Sequence, residues 1–473
     1  MRTIPRTLQG SRLESMPDSV LTPQNPEPRY SREHAADAQT RDALDKEVVR
    51  ICRDLIRIDT TNLGSYPDAA NERPAAEYVM ELLQEVGLEP TMYESAPGRA
   101  SVVARIEGRE PDLPALVVHG HLDVVPAQPE DWSVNPFEAV IKDDMIWGRG
   151  AVDMKNMNAM ILTTVRDMAR RRLKPRRDLI VAFFADEEAG GEYGALWMVK
   201  NHPEVFAGAT EAISEVGGYS TTINGERLYL VQTAEKGRAW GALTAHGRAG
   251  HGSAVTHENP IVHLATAIAR IAGDDWPREY NEATAALLEG IAHITGTEFD
   301  PDNPQPQLEA LGPTVKFIAN TLQTTSNPTV LKAGYKDNVI PQEALARLDV
   351  RTLPGKHEST LERIAELAGE HVTYSIDHHR PSVSAPIDAP IFDAMRQALN
   401  RHDPGCHVLP YMLGAGTDNN ALADLGINGY GFAPLLLPAE LDFTGMFHGI
   451  DERVPIESIT FGRAVLSEFL LDY

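Results

Sequence analysis

The sequence predicts an α/β protein in which a smaller domain is inserted into a larger one. Three apolar runs, at residues 115–118, 178–185 and 209–216, lead into histidine or acidic side chains, as buried strands of an open α/β sheet do. Segments with apolar residues at helical spacing separate these runs. After residue 236 the pattern changes to alternating apolar and polar residues, which indicates the half-buried strands of a second unit.

Composition limits the functions that the chain can have. Its 473 residues are enough for two or three domains, and its formal charge of -25 argues against nucleic acid or an anionic membrane as a partner. The two cysteines, Cys52 and Cys406, provide neither a disulfide framework nor a cysteine-based zinc site. We find no apolar run that would span a bilayer and no signal-peptide core, so we expect a cytoplasmic protein.

The larger domain is predicted to begin after a polar extension. Residues 1–34 are rich in Pro, Ser and Arg and lack periodicity, which predicts a flexible extension or a strap over a neighbouring surface. Residues 35–236 are predicted to form the first part of the catalytic domain. Besides the three apolar runs, its predicted elements are helices at 35–58, 73–86 and 157–168 and strands at 89–94 and 101–107.

Residues 237–380 are predicted to form the inserted domain, and residues 381–473 return to the catalytic domain. Within the insert, residues 274–313 form a long, partly helical segment that the pattern does not assign. The other predicted elements of the insert are strands at 238–246, 314–318, 329–335, 344–350 and 372–376, and helices at 261–271 and 358–369. A helix at 390–400 is predicted in the returning part of the catalytic domain.

A histidine and two aspartates follow the first apolar run. His121 and Asp123 are two residues apart, so in extended chain the Asp123 carboxylate can hold the His121 imidazole in one tautomer while the other nitrogen binds a metal ion. Asp153 follows a Gly-Arg-Gly turn and precedes a helix. Both have ordinary alternatives, because a histidine at a strand end is more often a satisfied polar residue and an aspartate before a helix is more often an N-cap.

Acidic residues follow the next two runs, and a second histidine lies near the C-terminus. Glu187 and Glu188 are adjacent, so their side chains point in different directions, and one can bind a metal ion while the other acts as a base. The alternative for such a pair is a solvated acidic turn. Glu215 ends the third run, and His448 lies in the segment FHGIDERV.

Two histidines and three carboxylates without cysteine suit a pair of zinc ions. The five residues are His121, Asp153, Glu188, Glu215 and His448. One carboxylate would bridge the ions, which would lower the pKa of their shared water and clamp the tetrahedral intermediate of acyl transfer. Glu187 would take a proton from the water and pass it to the leaving nitrogen. The sequence contains neither a Walker-type phosphate loop nor a G-x-S-x-G nucleophile elbow.

Several motifs resemble, in the same order, those of the dizinc amidohydrolase and exopeptidase family, which includes acetylornithine deacetylase, succinyl-diaminopimelate desuccinylase, aminoacylase, carboxypeptidase S and carboxypeptidase G. The resemblance spans roughly residues 43–473, and its motifs read HGHLDVVP, DWSVNPFE to GRGAVDMKN, FFADEE, SEVGG, GHGS, DNVIP with LDVR, and FHGIDERV. The resemblance implies a three-layer α/β/α catalytic domain of the zinc-exopeptidase type. It also implies a ferredoxin-like lid domain through which two chains form a homodimer.

The resemblance further implies a role for each site residue. Asp153 would bridge the ions, with His121 and Glu215 on one ion and Glu188 and His448 on the other. Some family members have aspartate where this chain has Glu215. Asp123 would orient His121, and Glu187 would be the general base and acid. A cis peptide bond is expected after the bridging residue, between Asp153 and Met154.

Other matches lie in the inserted domain. His251 of GHGS would stabilise the oxyanion, often from the partner subunit. The ordinary alternative is that His251 is simply a loop histidine beside two glycines. Asn338 and either Arg351 or Arg380 are weaker matches for substrate contacts, since an arginine can grip a carboxylate with two hydrogen bonds. Arg351 is equally well explained as a structural ion-pair partner.

These observations predict a zinc-dependent hydrolase that cleaves an amide bond next to a free carboxylate in a dipeptide or an N-acyl amino acid. Oxygen-rich ligation also permits cobalt or manganese. The HGIDERVP and DWSVNPF segments are most similar to the carboxypeptidase S and aminoacylase branch, which slightly favours a peptidase. A deacetylase or desuccinylase of amino-acid biosynthesis is the near alternative. A non-catalytic, metal-stabilised binding protein on the same fold is the alternative from another class.

Overall fold

The computed structural model describes residues 35–64 and 71–473, so the predicted extension at residues 1–34 lies outside the described residues. The strands are β1 (Thr91–Ala96), β2 (Arg99–Ile106), β3 (Ala115–His121), β4 (Val140–Lys142), β5 (Met145–Trp147), β6 (Leu179–Phe184), β7 (Ala209–Ser214), β8 (Tyr219–Ile223), β9 (Glu226–Glu235), β10 (Gly237–His246), β11 (Gly250–His251), β12 (Thr325–Ala333), β13 (Val339–Ile340), β14 (Glu343–Thr352), β15 (Val372–Arg380), β16 (Val383–Ser384), β17 (His407–Leu413), β18 (Asn428–Gly431) and β19 (Arg453–Pro455). The helices are α1 (Ala38–Arg57), α2 (Arg73–Gln84), α3 (Lys155–Arg171), α4 (Ala195–Asn201), α5 (Pro260–Ala272), α6 (Glu282–Thr295), α7 (Gln305–Ala310), α8 (Val315–Ile318), α9 (His357–Ala368), α10 (Pro390–His402), α11 (Asn419–Leu422) and α12 (Ile456–Asp472).

The larger part of the fold is a mixed sheet covered by helices on both faces. Its main path runs β1-β2-β6-β3-β7-β18-β9-β16, and β8 and β17 also pair with β9. Strands β3, β6 and β7 are parallel neighbours. They are apolar because both faces are buried. Leu116 and Val118 belong to one core, whereas Val117 belongs to the core on the opposite face. The predicted three-layer α/β/α architecture is confirmed.

Amphipathic helices form the outer layers. In α1 the buried positions Leu44, Val48, Ile51 and Leu55 recur at helical spacing. The Asp37 side chain caps this helix by accepting a hydrogen bond from the backbone N–H of Thr40 at 2.7 Å. Helix α3 is buried along most of its length because it packs beneath α1 and α12. This buried helix begins directly after Asp153 and Met154, so packing fixes the chain that carries a candidate metal ligand.

A second, antiparallel sheet has the order β12-β14-β10-β15, with its own core against helices α5 and α9. The alternation of buried and less buried residues in β14 matches the period of two expected for a sheet with one covered face. The helical segment that the sequence left unassigned packs elsewhere. Leu287 and Ile291 of α6 join the core of the large sheet, and α6 contacts β17. The predicted domain range of 237–380 therefore includes a segment that packs on the large sheet.

The strand predicted at residues 314–318 is wrong. A short 3-10 turn at Gly312–Thr314 leads into helix α8. Pro313 lies in the first turn, where a missing N–H costs no hydrogen bond, and Ile318 is buried in the large core. The spacing of apolar residues at 315 and 318 serves this short helix rather than a strand.

Among the described residues, every helix is too short or too polar to cross a membrane.

Candidate active site

The ends of three parallel strands bring the acidic and histidine residues together at one edge of the large sheet. His121 is the last residue of β3, Glu187 and Glu188 lie in the short turn after β6, and Glu215 follows β7. Ligands of open α/β sheets bind at the carboxyl ends of such strands. Asp186 has a positive φ of 68° at the start of this turn, and Glu187 and Glu188 belong to two different groups of candidate ligands.

Asp153 lies between the two histidines. Its Oδ1 is 3.0 Å from Nε2 of His121, and its Oδ2 is 3.4 Å from Nε2 of His448. Glu215 Oε2 is 3.4 Å from His121 Nε2, and Glu188 Oε2 is 3.1 Å from His448 Nε2. The two oxygens of one carboxylate therefore face two separate pairs of side chains. This is the arrangement that a bridging ligand between two ions requires.

The site concentrates negative charge in a buried volume. Burial and the charge of Asp153 raise the pKa of Glu188 to about 7, and burial raises the pKa of Glu215 to about 8. Hydrogen bonds to Asp153 and Glu188 raise the pKa of His448 to about 10. Within the described chain, Oε1 of Glu188 is buried without a hydrogen-bond partner.

These donors fit metal cations. His121 with Asp153 and Glu188 forms one group whose ligand atoms all lie within 4.8 Å of one another, and His121 with Glu187 and Glu215 forms another. Imidazole and carboxylate groups without thiolates suit divalent ions such as zinc. Binding of cations would relieve the repulsion between the carboxylates and supply a partner for the buried oxygen of Glu188.

Asp123 contacts His121 differently from the prediction. The Nδ1 atom of His121 lies 2.9 Å from the backbone carbonyl oxygen of Asp123 and 3.5 Å from its carboxylate. The carboxylate instead accepts hydrogen bonds from the backbone N–H groups of Glu187 and Glu188, both at 3.1 Å. Asp123 thus orients the ring mainly through its main chain, and its side chain holds the turn that carries the two glutamates.

A network of buried polar and charged side chains holds Asp123 in place. Asn62 donates to Oδ2 of Asp123 at 2.8 Å and to Oδ1 of Asp186 at 3.1 Å. Arg99 forms ion pairs with Asp186 and, at 3.0 Å, with Glu72. All of these side chains are buried, so removal of one partner would leave a charge without compensation.

A second buried carboxylate holds the loop before α3. The Glu452 carboxylate accepts hydrogen bonds from the backbone N–H groups of Asp153 at 2.9 Å and Gly150 at 3.0 Å. It also pairs with Arg149 at 2.9 Å. The peptide bond between Asp153 and Met154 is cis, which confirms that prediction.

A cleft of about 470 Å³ opens beside Glu187 and contains both predicted substrate arginines, Arg351 and Arg380. Arg351 is paired with Asp349, at 2.7 Å from Nε to Oδ1. Arg380 donates to the side chain of Asn420 at 2.6 Å. The other lining residues are Gly190, Leu196, Lys236, Arg238, Gly416, Thr417, Asp418, Asn420 and Ala421.

The structure places His251 and Asn338 away from these residues. His251 lies in the small β11–β13 ladder and Asn338 directly precedes β13, where the Gly252 N–H donates to the Asn338 carbonyl at 2.9 Å. His251 is exposed, and its Nδ1 is 2.8 Å from Oγ of Ser253. The cleft beside Glu187 is lined by other residues of the chain.

Sequence reasoning missed several residues of the site and its support. Arg238 and Asp418 line the cleft, and Asn62, Arg99 and Glu452 hold the ligand-bearing loops. For Asp418 the available signal is the Gly-rich segment GAGTDNN at residues 414–420, in which an aspartate follows two glycines. The other residues carry no local signal, because their partners lie far away along the chain.

Comparisons with known proteins identify the family and the fold. A family model described as Peptidase family M20/M25/M40 matches residues 117–472. The chain is 27% identical to the N-fatty-acyl-amino acid synthase/hydrolase PM20D1 of Xenopus tropicalis, with 88% of this chain and 83% of that protein covered. It is also 27% identical to mouse aminoacylase-1, with 82% and 86% covered. A solved M20 metallo-carboxypeptidase from Sulfolobus solfataricus shares the fold, with a TM-score of 0.69, 19% identity and 90% and 98% of the two chains covered.

Proposed function

This chain belongs to peptidase family M20/M25/M40, and from that premise we propose that it is a zinc-dependent hydrolase of dipeptides or N-acyl amino acids. The observation that carries the proposal is the position of Asp153, whose two carboxylate oxygens face His121 on one side and His448 on the other. Two zinc ions per chain would share this carboxylate, with Glu215 and Glu188 as the remaining acidic ligands. The metal-dependent relatives and the acidic ligand set support this assignment.

When bound, the metal pair would supply a Lewis acid for the scissile carbonyl and lower the pKa of water. Glu187 is the general base in the proposal, because it lies at the mouth of the cleft and beside the ligand group. Burial and the charge of Glu215 raise the pKa of Glu187 well above its ordinary value. A raised pKa suits a carboxylate that must accept a proton from water and then give it to the leaving nitrogen.

The positive side chains of the cleft would bind the carboxylate next to the scissile amide. Arg351 and Arg380 are the proposed contacts, and a planar guanidinium can donate two parallel hydrogen bonds to a carboxylate. Asn338 and His251 would reach the site from a second subunit, because both are exposed at or next to the β11–β13 ladder and neither lines the cleft of its own chain. His251 would then donate to the oxyanion.

We propose a homodimer formed through the small sheet. Strand β12 is an edge of that sheet, and Leu331 and Tyr335, on and just beyond it, expose 65% and 77% of their surface. Val262 on the neighbouring helix α5 exposes 57%. An edge strand beside exposed apolar side chains is a typical association surface. Leu331→Asp should therefore shift the mass in solution toward one chain, and an unchanged mass would argue against this surface.

We also propose a reducing, cytoplasmic location. Both cysteines are free and buried, as in proteins of compartments that keep thiols reduced.

A substrate panel tests the proposed activity. Zinc-loaded protein should release amine from members of a set of dipeptides, N-acetyl-amino acids and N-succinyl-amino acids, and chelator-treated protein should release none. Consumption of dipeptides alone would assign a peptidase, and consumption of acylated amino acids alone would assign a deacylase. No release from any substrate, with two zinc ions bound, would favour a metal-stabilised binding protein and contradict the proposal.

A further inference from the structure

The small sheet places three arginines side by side. In the antiparallel register, Arg238 of β10 is directly opposite Arg351 of β14 and also directly opposite Arg380 of β15. Directly opposite residues of antiparallel strands project from the same face of the sheet. All three side chains line the cleft beside Glu187. We call these three residues the arginine row.

Such a row weakens the sheet that carries it. Like charges directly opposite one another on antiparallel strands are destabilising. Lys236, two residues before Arg238, adds a fourth cation to the same cleft. Burial and the charge of Arg351 lower the pKa of this lysine to about 7. Lys236 is therefore only partly charged near neutral pH, and the three arginines carry the permanent positive charge of the cleft.

Two members of the row already have partners. Arg351 donates from Nε and Nη2 to the two carboxylate oxygens of Asp349, at 2.7 and 3.2 Å. Arg380 donates to Asn420 and, at 3.0 Å, to Asp424. Their side chains are therefore held in place by groups of the protein.

Arg238, at the centre of the row, differs from its neighbours. In the part of the chain that the structure describes, no carboxylate lies within ion-pair distance of its guanidinium, and its Nε is buried without a hydrogen-bond partner. Its guanidinium carbon lies 4.4 Å from the centre of the Trp240 ring, which fixes the group by a cation–π contact. The group is thus held in position with its charge available to a ligand.

Arg238 lies against the turn that carries the proposed base. A Cβ on Gly190 would come within 3.1 Å of Nη2 of Arg238, and Gly190 has a φ of +106° that favours glycine. Gly190 closes the turn begun by Glu187, since its N–H donates to the Glu187 carbonyl at 2.8 Å. An anion bound to Arg238 would therefore lie close to the reacting amide.

We propose that Arg238 binds a second substrate carboxylate, on the side chain of the amino acid that the reaction releases. This inference rests on the proposed hydrolase function, in which Arg351 and Arg380 take the carboxylate next to the scissile amide. Two or three carbon atoms separate the carboxylates of aspartate and glutamate, and neighbouring strands are about 4.8 Å apart. The substrate class is therefore an N-acyl or peptidyl derivative of an acidic amino acid.

N-acetyl-glutamate and N-acetyl-glutamine are a matched pair for the test, because they differ in charge and hardly in shape. Zinc-loaded wild-type protein should show a kcat/KM at least about tenfold higher for N-acetyl-glutamate, as a charge-assisted hydrogen bond predicts. Arg238→Gln should abolish that preference, mainly through a higher KM for the acidic substrate. Arg347→Gln is the control. Arg347 lies on β14, the strand next to that of Arg238, but it pairs with Asp377 and does not line the cleft.

Other results would overturn the inference. An equal loss for both substrates in Arg238→Gln would show that Arg238 only supports the turn at Gly190. An Arg238-dependent preference for N-succinyl-methionine over N-acetyl-methionine would place the second carboxylate on the acyl side. Cleavage of both matched substrates at equal rates by wild type would contradict the inference while leaving the hydrolase function intact.

Binding of the products gives a measurement that does not need turnover. Calorimetry with the zinc-loaded protein should show glutamate binding at least about tenfold more tightly than glutamine, and Arg238→Gln should remove the difference. If no substrate of the panel were cleaved but this difference remained, the hydrolase function would fail while the acidic ligand class stood. Equal binding of the two products would overturn the role of Arg238.

Discussion

The acidic side of the site, at the edge of the large sheet, and its basic side, formed by the arginine row, carry opposite charges, and they are built in opposite ways. The sheet edge that holds Asp153, Glu188 and Glu215 gathers carboxylates from turns after separate strands. The arginine row gathers cations from the ends of three paired strands. Neither side neutralises the other by an ion pair within the described residues. The acidic side thus offers its charge to cations, and on the basic side Arg238, which has no ion-pair partner among the described residues, offers its charge to a substrate carboxylate.

Glu187→Gln tests the acidic side most severely. The substitution keeps the size of the side chain but removes the proton acceptor, so kcat should fall by about 10²- to 10⁴-fold. Zinc content and melting temperature should stay near those of the wild type. Glu192→Gln is the control, because Glu192 is exposed in the same loop. Ordinary turnover by Glu187→Gln would remove this residue as the base.

Arg99→Met tests whether the acidic side depends on buried support. Arg99 pairs with Glu72 and Asp186, and loss of one partner of a buried ion pair costs about 3–5 kcal/mol. The free energy of unfolding, measured with denaturant, should fall by that amount. Arg105→Met on the same strand should cost about 1 kcal/mol or less, since Arg105 is exposed and its ion pair with Asp178 is partly solvated. Equal losses for the two variants would argue against the network.

His251→Ala tests whether one chain contains a complete cleft. Loss of an oxyanion donor lowers kcat by about 10²- to 10³-fold. If His251 acts across the dimer, mixing this variant with Glu187→Gln should restore activity, because each hybrid dimer contains one intact site. A mixture as inactive as its components would place His251 outside the site of the partner subunit.

Glu235→Gln should produce the smallest effect, on the pH dependence of stability. Burial raises the pKa of Glu235 from 4.5 to about 7, although Thr417 donates to it. The folded state thus favours the protonated form, so this residue's contribution falls as pH rises from about 4.5 through 7. The melting temperature of the variant should depend less on pH across that window. Glu440→Gln, at an exposed loop position, should leave the dependence unchanged.

The acidic side could be predicted from sequence because the end of a buried strand is visible in a short stretch of the sequence. An apolar run followed by His121, or by Glu187 and Glu188, places those side chains at a sheet edge without knowledge of the rest of the fold. The large sheet and most helices were predictable for the same reason. The contact between Asp123 and the backbone of the glutamate turn was not, because it depends on how two neighbouring strands end.

The basic side could not be predicted in the same way. Arg238, Arg351 and Arg380 are far apart along the chain and become neighbours only through the register of three strands. A one-residue shift in that register would turn one arginine to the other face. The support from Arg99 and Glu452 was hidden for the same reason, since each meets its partners across long sequence separations.

Stepwise addition of zinc to metal-free protein tests the central claim most directly. Amine release from a substrate identified in the panel should be absent without metal, rise with added zinc and level off at two bound ions per chain. Such a result would show that the reaction requires the two ions that Asp153 is proposed to bridge. Full activity in the metal-free protein, or none with two ions bound, would contradict the account.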